Sequence, residues 1–260
     1  MAERQRRMTL PSTPGRIDPI HKHAVKPVED PAHGAAFIFV HGLGDNAEGV
    51  QNVAEQFQQN HKLDYMHWII PNAKENRDAG DTAWYTPNKL EVHPSRPELE
   101  DDEDEDGMFE TVKYLESLIE ACEKKGIPSN RIVLGGFSQG CAMSLLTDLI
   151  SKRYSGRLAG IVGLMGYLPL ARGQQLQDLR SHAGLPPVVG EVPVFIARGL
   201  KDPLIPTSVW KRSLEKLKLL GLNEEAMEVH EYEGLGHTLH GKLLQDMCNW
   251  LERVVPKLED

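Results

Sequence analysis

A serine lies at the centre of Gly136-Phe-Ser-Gln-Gly140, where the chain passes from an apolar segment into a helical one. This spacing matches the G-x-S-x-G pattern, in which a sharp strand-to-helix turn exposes a nucleophilic serine at the top of a sheet. The glycines relieve clashes of that turn with the neighbouring strand and helix. The helix N-terminus that follows favours the negative charge that develops in acyl transfer. The pattern therefore predicts Ser138 as a nucleophile.

A serine hydroxyl is a weak nucleophile, so it needs a base, and the base needs a group that orients it. In chains with this motif the acid and then the histidine follow the serine. Asp202 fits the acid because it comes just after the predicted strand Val192 to Ala197, at the sheet edge where Ser138 emerges. Asp148 and Asp246 are the alternatives, but they lie in predicted helices and are more typical of solvated helix faces.

Eleven histidines compete for the role of base. His237 lies in a loop with glycines after the predicted strand Met227 to Tyr232, at the next strand end along the chain. His240 is the alternative, but we expect it at the start of the last helix. The sequence therefore favours a triad of Ser138, Asp202 and His237.

The tetrahedral intermediate of acyl transfer needs hydrogen-bond donors for its oxyanion. One N–H is expected from Gln139, the residue after the nucleophile, and another from the loop after an earlier strand. Leu43 is the candidate for that second donor, since it lies within His41-Gly-Leu-Gly44, where glycines let the backbone turn inward.

Alternating apolar strands and helices predict a mostly parallel sheet with helices on both faces. The predicted strands are Ala35 to Val40, His67 to Ile70, Arg131 to Leu134, Leu158 to Met165, Val192 to Ala197 and Met227 to Tyr232. The predicted helices are Asn46 to Gln59, Met108 to Cys122, Cys141 to Ile150, Ser208 to Leu220 and Leu239 to Val255. We expect an irregular N-terminal arm over residues 1–33, with an edge strand near Ile20 to Val28, and a single domain over residues 34–260.

The composition is that of a globular chain: 260 residues, of which 40% are hydrophobic and 26% are charged. This excludes wholesale disorder, a collagen and a coiled coil. No apolar run approaches the ~18 residues of a membrane span, and no secretory signal is visible. The cysteines Cys122, Cys141 and Cys248 are odd in number and widely spaced. They therefore favour reduced thiols and a cytoplasmic location, with the nucleus as a second compartment.

The net charge of −9 is concentrated in Glu98 to Asp106, which holds eight acids in nine residues. Without them the chain has 29 basic and 30 acidic residues, so its body is nearly neutral and offers no surface for nucleic acid. We expect residues 98–107 to be a solvated loop insertion in a long connection over residues 71–107. His21 and His23 could suggest a metal pair, but the sequence places no third ligand nearby. We therefore expect exposed histidines, no metal site and no cofactor.

The chain resembles the acyl-protein thioesterases, within the phospholipase/carboxylesterase group of α/β-hydrolases. The segments that carry this resemblance are Val40–Asp45, Gly126–Gly140, Tyr167–Leu170, Asp202–Pro206 and Gly236–His237. The resemblance implies an α/β-hydrolase fold, here with a small cap or none at residues 165–191. It implies removal of long acyl chains from cysteine thioesters on proteins, and esterase activity on lysophospholipids and small esters.

By motif position, the resemblance assigns nucleophile, acid and base to Ser138, Asp202 and His237, and the oxyanion hole to Leu43 and Gln139. It also implies that Trp84 and Leu204 contribute to substrate binding, with Leu204 lining an acyl tunnel. The expected partners are S-acylated proteins or lipid esters, with transient contact to a membrane surface, in a monomer or weak homodimer.

This sequence departs from many members of the group at positions that would change the walls of the site. They are Ala83, Tyr85, Thr86, Cys141 and Met165, and Ala2 stands where some members carry an N-terminal cysteine that can be acylated. The alternatives to a thioesterase are a general carboxylesterase or lysophospholipase, a non-catalytic binding protein and a lactone hydrolase with a cysteine nucleophile. The filled triad disfavours a non-catalytic binding protein, and Ser138 in the motif disfavours a cysteine nucleophile.

Overall fold

A mostly parallel β-sheet forms the centre of the structure, a computed structural model that describes residues 8–87, 103–223 and 225–259. The strands are β1 (Ile20–Lys22), β2 (Ala35–Val40), β3 (Met66–Ile70), β4 (Lys74–Asn76), β5 (Asp81–Ala83), β6 (Ile132–Phe137), β7 (Gly160–Leu164), β8 (Val194–Gly199) and β9 (Met227–Tyr232). Seven of them form one sheet in the order β1-β3-β2-β6-β7-β8-β9, and β4 pairs with β5 in a separate hairpin. β1 is antiparallel to β3, whereas the other pairings of the sheet are parallel.

Helices cover both faces of this sheet, as predicted. They are α1 (Ala47–Gln59), α2 (Glu105–Lys124), α3 (Gln139–Ile150), α4 (Gln175–His182), α5 (Thr207–Leu219) and α6 (Gly241–Val254). Phe37 and Phe39 of β2 pack with α1 and α6, whereas Ile38 and Val40 pack with α2, α3 and α5. Successive side chains of a strand point to opposite faces, so a strand between two helical layers is apolar at every position.

The predicted strands and helices are present, with bounds that shift by a few residues. β2 and β9 have the predicted bounds, but β6 continues to Phe137 instead of ending at Leu134. The reason is that Gly135 and Gly136 pair with β2 on one side and with β7 on the other. Pairing on both sides outweighs the weak strand preference of glycine. The β4–β5 hairpin and α4 were not predicted, and α4 lies in the segment where a small cap was expected.

The N-terminal arm is fastened to the body of the structure. Its edge strand is β1, which covers the first part of the predicted Ile20 to Val28. The Arg16 guanidinium lies 4.5 Å from the ring centroid of Tyr114 and 5.3 Å from that of Trp84. His21 is only partly exposed and lies 3.1 Å from His67, so the expectation of an exposed histidine is wrong at this position.

The acidic run differs from the predicted loop. Residues 98–102 lie outside the described residues, but residues 103 and 104 lead directly into α2, which begins at Glu105. Asp104 is the N-cap of this helix and accepts hydrogen bonds from Gly107 N at 3.0 Å and Thr86 N at 2.7 Å. Glu103 accepts a hydrogen bond from Leu170 N at 2.8 Å. Carboxylates at a helix N-terminus are stabilised by its free N–H groups and by the helix dipole, so this part of the run forms structure.

None of the helices described here is long and apolar enough to cross a membrane.

Replacement of Asp104 tests its capping role. Asp104→Ala should lower the free energy of unfolding by about 1–2 kcal/mol, because an N-cap and the bond to Thr86 N are lost. Asp104→Asn should retain about half of that stability, since asparagine caps Gly107 N equally well but has no second acceptor oxygen for Thr86 N. The measurement is urea denaturation, with Asp106→Ala in the exposed first turn as the control. Equal losses for the alanine and asparagine variants of Asp104 would contradict this role.

Candidate active site

Ser138 stands in a strained turn between β6 and α3. Its backbone has φ 55° and ψ −117°, a conformation that residues with a Cβ adopt only under tertiary constraint. A Cβ on Gly136 would lie 2.3 Å from the Val40 carbonyl oxygen, and one on Gly140 would lie 2.0 Å from it. Only glycine fits at these two positions, so the backbones of β2, β6 and α3 meet closely beneath the serine.

The structure brings the three predicted triad residues together. His237 Nε2 lies 3.0 Å from Ser138 Oγ, and His237 Nδ1 lies 2.7 Å from Asp202 Oδ2. The Asp202 side chain is 2% exposed and the His237 side chain is 13% exposed. These distances are within the reach required of a nucleophile, its base and the group that orients the base. The loops after β6, β8 and β9 therefore converge at the carboxyl edge of the sheet.

The environment of Asp202 favours its ionised form. Burial raises the pKa of this carboxyl, but hydrogen bonds from His237, Leu204 N and Ile205 N together outweigh burial, so the pKa lies below its usual range. The two backbone N–H groups reach Asp202 Oδ1 at 2.8 and 3.1 Å. One oxygen is thus held by the backbone of its own loop, and the other faces the imidazole.

The alternative acids and base have other roles. Asp148 is buried in α3 and accepts a hydrogen bond from Gly156 N at 3.2 Å. Asp246 lies in α6 and accepts a hydrogen bond from the Tyr232 hydroxyl at 2.9 Å. His240 is the N-cap of α6, where its ring accepts a hydrogen bond from Lys242 N at 3.2 Å.

The predicted oxyanion donors lie on two different segments, the start of α3 and the loop after β2. Gln139 is the first residue of α3, and the first N–H groups of a helix have no partner within it. Leu43 lies in the loop after β2, which the β4–β5 hairpin fastens from outside. Gly44 N donates to Thr82 O at 2.9 Å, and Thr82 Oγ1 donates to Asp45 O at 2.7 Å. The position of Leu43 therefore depends on a hairpin far along the chain.

Trp84 is buried and braces this loop from within. It is 2% exposed, and its indole Nε1 donates to His41 O at 2.7 Å. The Gln139 side chain accepts from Trp84 N at 3.0 Å and donates to Tyr85 O at 3.2 Å. The expectation of direct substrate contact does not fit this burial. Trp84 instead supports the loop that carries Leu43.

His41 has a positioning role that the sequence did not reveal. It is fully buried; its Nδ1 faces Gly42 O at 2.7 Å, and its Nε2 accepts a hydrogen bond from Ala73 N at 3.1 Å. Burial lowers the pKa of His41, so the ring is neutral and can accept that bond. The only sequence signal for this role is that His41 begins the motif His41-Gly-Leu-Gly44. The long-range partner Ala73 could not be read from that motif.

Three exposed leucines border the site. Leu43, in the loop after β2, is 39% exposed, and Leu200 and Leu204, in the loop after β8, are 47% and 44% exposed. Leu204 donates its backbone N–H to Asp202 Oδ1, and its role in substrate binding stays a prediction. Cys141 lies behind the serine without exposed surface, and burial raises its pKa to about 12, so it is not a second nucleophile.

One group of three potential metal ligands is present in the described ranges, namely His21, His23 and His67. It lies on the β1–β3 edge of the sheet and includes none of the triad residues. The chemistry that the geometry of Ser138, His237 and Asp202 allows is attack by an activated serine on an acyl carbon.

Known proteins resemble this chain over most of its length. The family model described as Phospholipase/Carboxylesterase matches residues 21–255. Acyl-protein thioesterase 1 of Yarrowia lipolytica is 34% identical over 226 residues, which cover 85% of this chain and 92% of that protein. The Schizosaccharomyces pombe protein of the same name is 34% identical over 229 residues, covering 86% and 92%.

Solved structures show the same fold. The crystal structure of Zea mays acyl-protein thioesterase 2 has a TM-score of 0.69 at 24% identity and covers 91% of this chain and 98% of that one. The chain belongs to the phospholipase/carboxylesterase family and has the α/β-hydrolase fold. It is a hydrolase enzyme, and the resemblance inferred from its motifs is confirmed.

Trp84→Phe tests the support of the loop. The variant keeps an aromatic ring but leaves the His41 carbonyl without its donor, so kcat on a small ester should fall about tenfold with little change in KM. Trp250→Phe is the matched control, since Trp250 is buried in α6 and should keep kcat within about twofold. Full kcat in Trp84→Phe, or an equal loss in both variants, would show that Trp84 does not position the loop.

Proposed function

We propose that this hydrolase removes long-chain acyl groups from cysteine thioesters of proteins through an acyl-enzyme on Ser138. The observation that carries the proposal is the hydrogen-bonded chain from Ser138 Oγ through His237 to Asp202. Thioesterase relatives with similarity over most of their length support the substrate class.

The first half of the reaction acylates the enzyme. His237 Nε2 takes the proton of the Ser138 hydroxyl while Oγ attacks the carbonyl carbon of the thioester. The carbonyl oxygen becomes an oxyanion, to which the N–H groups of Gln139 and Leu43 donate. When the tetrahedral intermediate collapses, the carbon–sulfur bond breaks and the cysteine sulfur leaves, taking the proton from His237.

The second half releases the fatty acid. Water gives a proton to His237 and attacks the same carbon, a second oxyanion forms, and the bond to Ser138 Oγ breaks as the serine recovers its proton. Asp202 stays ionised throughout, because its lowered pKa lets it hold the Nδ1–H tautomer and stabilise the imidazolium. A cysteine thiol has a pKa of about 8.5, so a thiolate leaves readily and needs little help from His237 as an acid.

The leucines around the site favour an apolar acyl group. Leu43, Leu200 and Leu204 expose their side chains on loops that hold the oxyanion donor and the acid. Burying apolar area gains roughly 25 cal/mol per Å², so an alkyl chain laid across these leucines would bind more tightly as it lengthens. The physiological substrates of this proposal are S-acylated proteins met at a membrane surface by transient contact.

The alternative is a general carboxylesterase or lysophospholipase. The same triad would act on oxoesters through the same acyl-enzyme, and the family includes phospholipases and carboxylesterases by its description. The two functions differ in their leaving groups and in acyl-chain preference, which substrate profiling separates.

We place this activity in the cytoplasm, with the nucleus as a second compartment. Cys122, Cys141 and Cys248 are all free and buried, as is typical of proteins kept in a reducing compartment.

Substitutions of the triad test the mechanism. Ser138→Ala should abolish turnover and labelling by a fluorophosphonate, since loss of a triad member costs on the order of a millionfold in kcat in serine hydrolases. His237→Ala should be similarly inactive. His240→Ala is the matched control: it removes only the N-cap of α6 and should keep most of the activity. An active His237→Ala together with an inactive His240→Ala would reverse our assignment of the base.

Acyl-chain profiling tests the substrate class. Purified protein should hydrolyse a palmitoylated cysteine peptide with a higher kcat/KM than either the acetylated peptide or the matching palmitoyl serine ester. Leu204→Ser should lower kcat/KM about fivefold for the palmitoyl thioester and leave the acetyl thioester nearly unchanged. Leu219→Ser, an exposed leucine at the end of α5, is the control. A preference for the serine ester or for lysophospholipid would establish the alternative function.

A further inference from the structure

Three histidine rings cluster at the outer edge of the sheet, where the N-terminal arm pairs with β3. The ring centroids of His21 and His23 are 4.0 Å apart, those of His21 and His67 are 5.2 Å apart, and those of His23 and His67 are 6.0 Å apart. The triad does not use any of these residues. The cluster therefore needs an explanation of its own.

The antiparallel register explains how the cluster forms. His21 pairs with Ile69 and Lys22 with Trp68, and the same register brings His23 opposite His67. Residues two apart on a strand share a face, and the cross-strand neighbour lies beside them. His21 on β1 and His23, one residue beyond its end, thus meet a third histidine that lies more than forty residues later in the sequence. The expectation that no third ligand lies nearby is wrong, because spacing along the chain does not reveal this register.

The nitrogen atoms are close enough to share one ion. A ligand nitrogen from each ring lies within 4.8 Å of the other two, and His21 Nε2 lies 3.1 Å from His67 Nδ1. Two nitrogens bound to one tetrahedral zinc at about 2.0–2.1 Å would lie about 3.3 Å apart. His21 and His67 are therefore already at ligand spacing. His23 is exposed, so rotation of its side chain can complete the set.

Burial and neighbouring charges disfavour protonation of His21 and His67. Burial and the neighbouring histidines and Lys125 lower the pKa of His21 to about 3. Burial, His23 and Lys125 lower the pKa of His67 to about 4. A histidine binds a metal through a lone pair of its neutral ring. The charge of Lys125 opposes a cation here, so binding depends on the nitrogen lone pairs.

We propose that His21, His23 and His67 form a binding site for one zinc ion per chain. Imidazole nitrogens suit zinc, and three of them leave a fourth position for water. The ion would join the arm to β3 through side chains in addition to the backbone pairing. His67 lies near the amino end of β3, whereas Ser138 follows the carboxyl end of β6. The ion would therefore stabilise the attachment of the arm and take no part in the acyl transfer.

The test is titration of the full chain with Zn²⁺ after removal of metals by EDTA and dialysis. A competing chelator reports affinity, and elemental analysis after dialysis reports stoichiometry. We expect one zinc per chain and a melting temperature that rises with zinc concentration, since a ligand that binds the folded state stabilises it. Co²⁺ substitution should give the visible spectrum of a nitrogen-ligated tetrahedral site.

Variants separate this site from general surface binding. His23→Ala and His67→Ala should each weaken zinc binding about tenfold or more and remove the thermal shift. His182→Ala, which removes an exposed histidine of α4, is the matched control and should bind like the original chain. If His67→Ala does not fold, the variants His23→Ala and His23→Gln decide whether the cluster binds zinc, because His23 is exposed. Zinc binding that is absent from the original chain, or equal in His23→Ala and His182→Ala, would overturn the proposal.

Discussion

The close approach of three backbones beneath Ser138 is the constraint on which the site depends. A backbone held at φ 55° costs roughly 1–3 kcal/mol, so the surrounding structure has to enforce it. Gly136 and Gly140 let β6 and α3 close on the Val40 carbonyl at the end of β2. The loop with Leu43 begins at the end of β2. The close approach to Val40 that strains the backbone of Ser138 therefore also fixes the starting point of the loop that carries the predicted oxyanion donor.

A buried polar network maintains the other side of the site. The Gln139 side chain holds the backbone of Trp84 and Tyr85, and the Trp84 indole holds the His41 carbonyl. Leaving one partner of such a buried bond unsatisfied costs about 1–3 kcal/mol, so these contacts stabilise the arrangement most when all are made. The Gln139 side chain therefore secures the segment that braces the opposite loop, and its backbone N–H is the proposed oxyanion donor.

The sequence predicted the sheet, its helical layers and the triad, because these follow from local patterns. Apolar runs mark buried parallel strands, and Ser138, Asp202 and His237 each follow such a run. Features that depend on distant side chains could not be predicted. The burial of Trp84 depends on His41 and Tyr114, and the second hydrogen bond of Asp104 depends on the distant Thr86 N. A run of acids resembles a solvated loop until its partners are known.

The N-terminal arm belongs to the scaffold of the site, although its sequence indicates an irregular tail. Arg16 lies over the Tyr114 and Trp84 rings and donates to the Asn72 carbonyl at 3.3 Å. The Asn72 side chain accepts from Ala47 N, the first residue of α1, at 2.8 Å and donates to the arm at Asp18 O at 3.1 Å. Arm, helix and tryptophan segment therefore share one cluster around a buried asparagine. Since Trp84 also secures the His41 loop, the contact of Arg16 with the Trp84 ring links the arm to the segment that supports the active site.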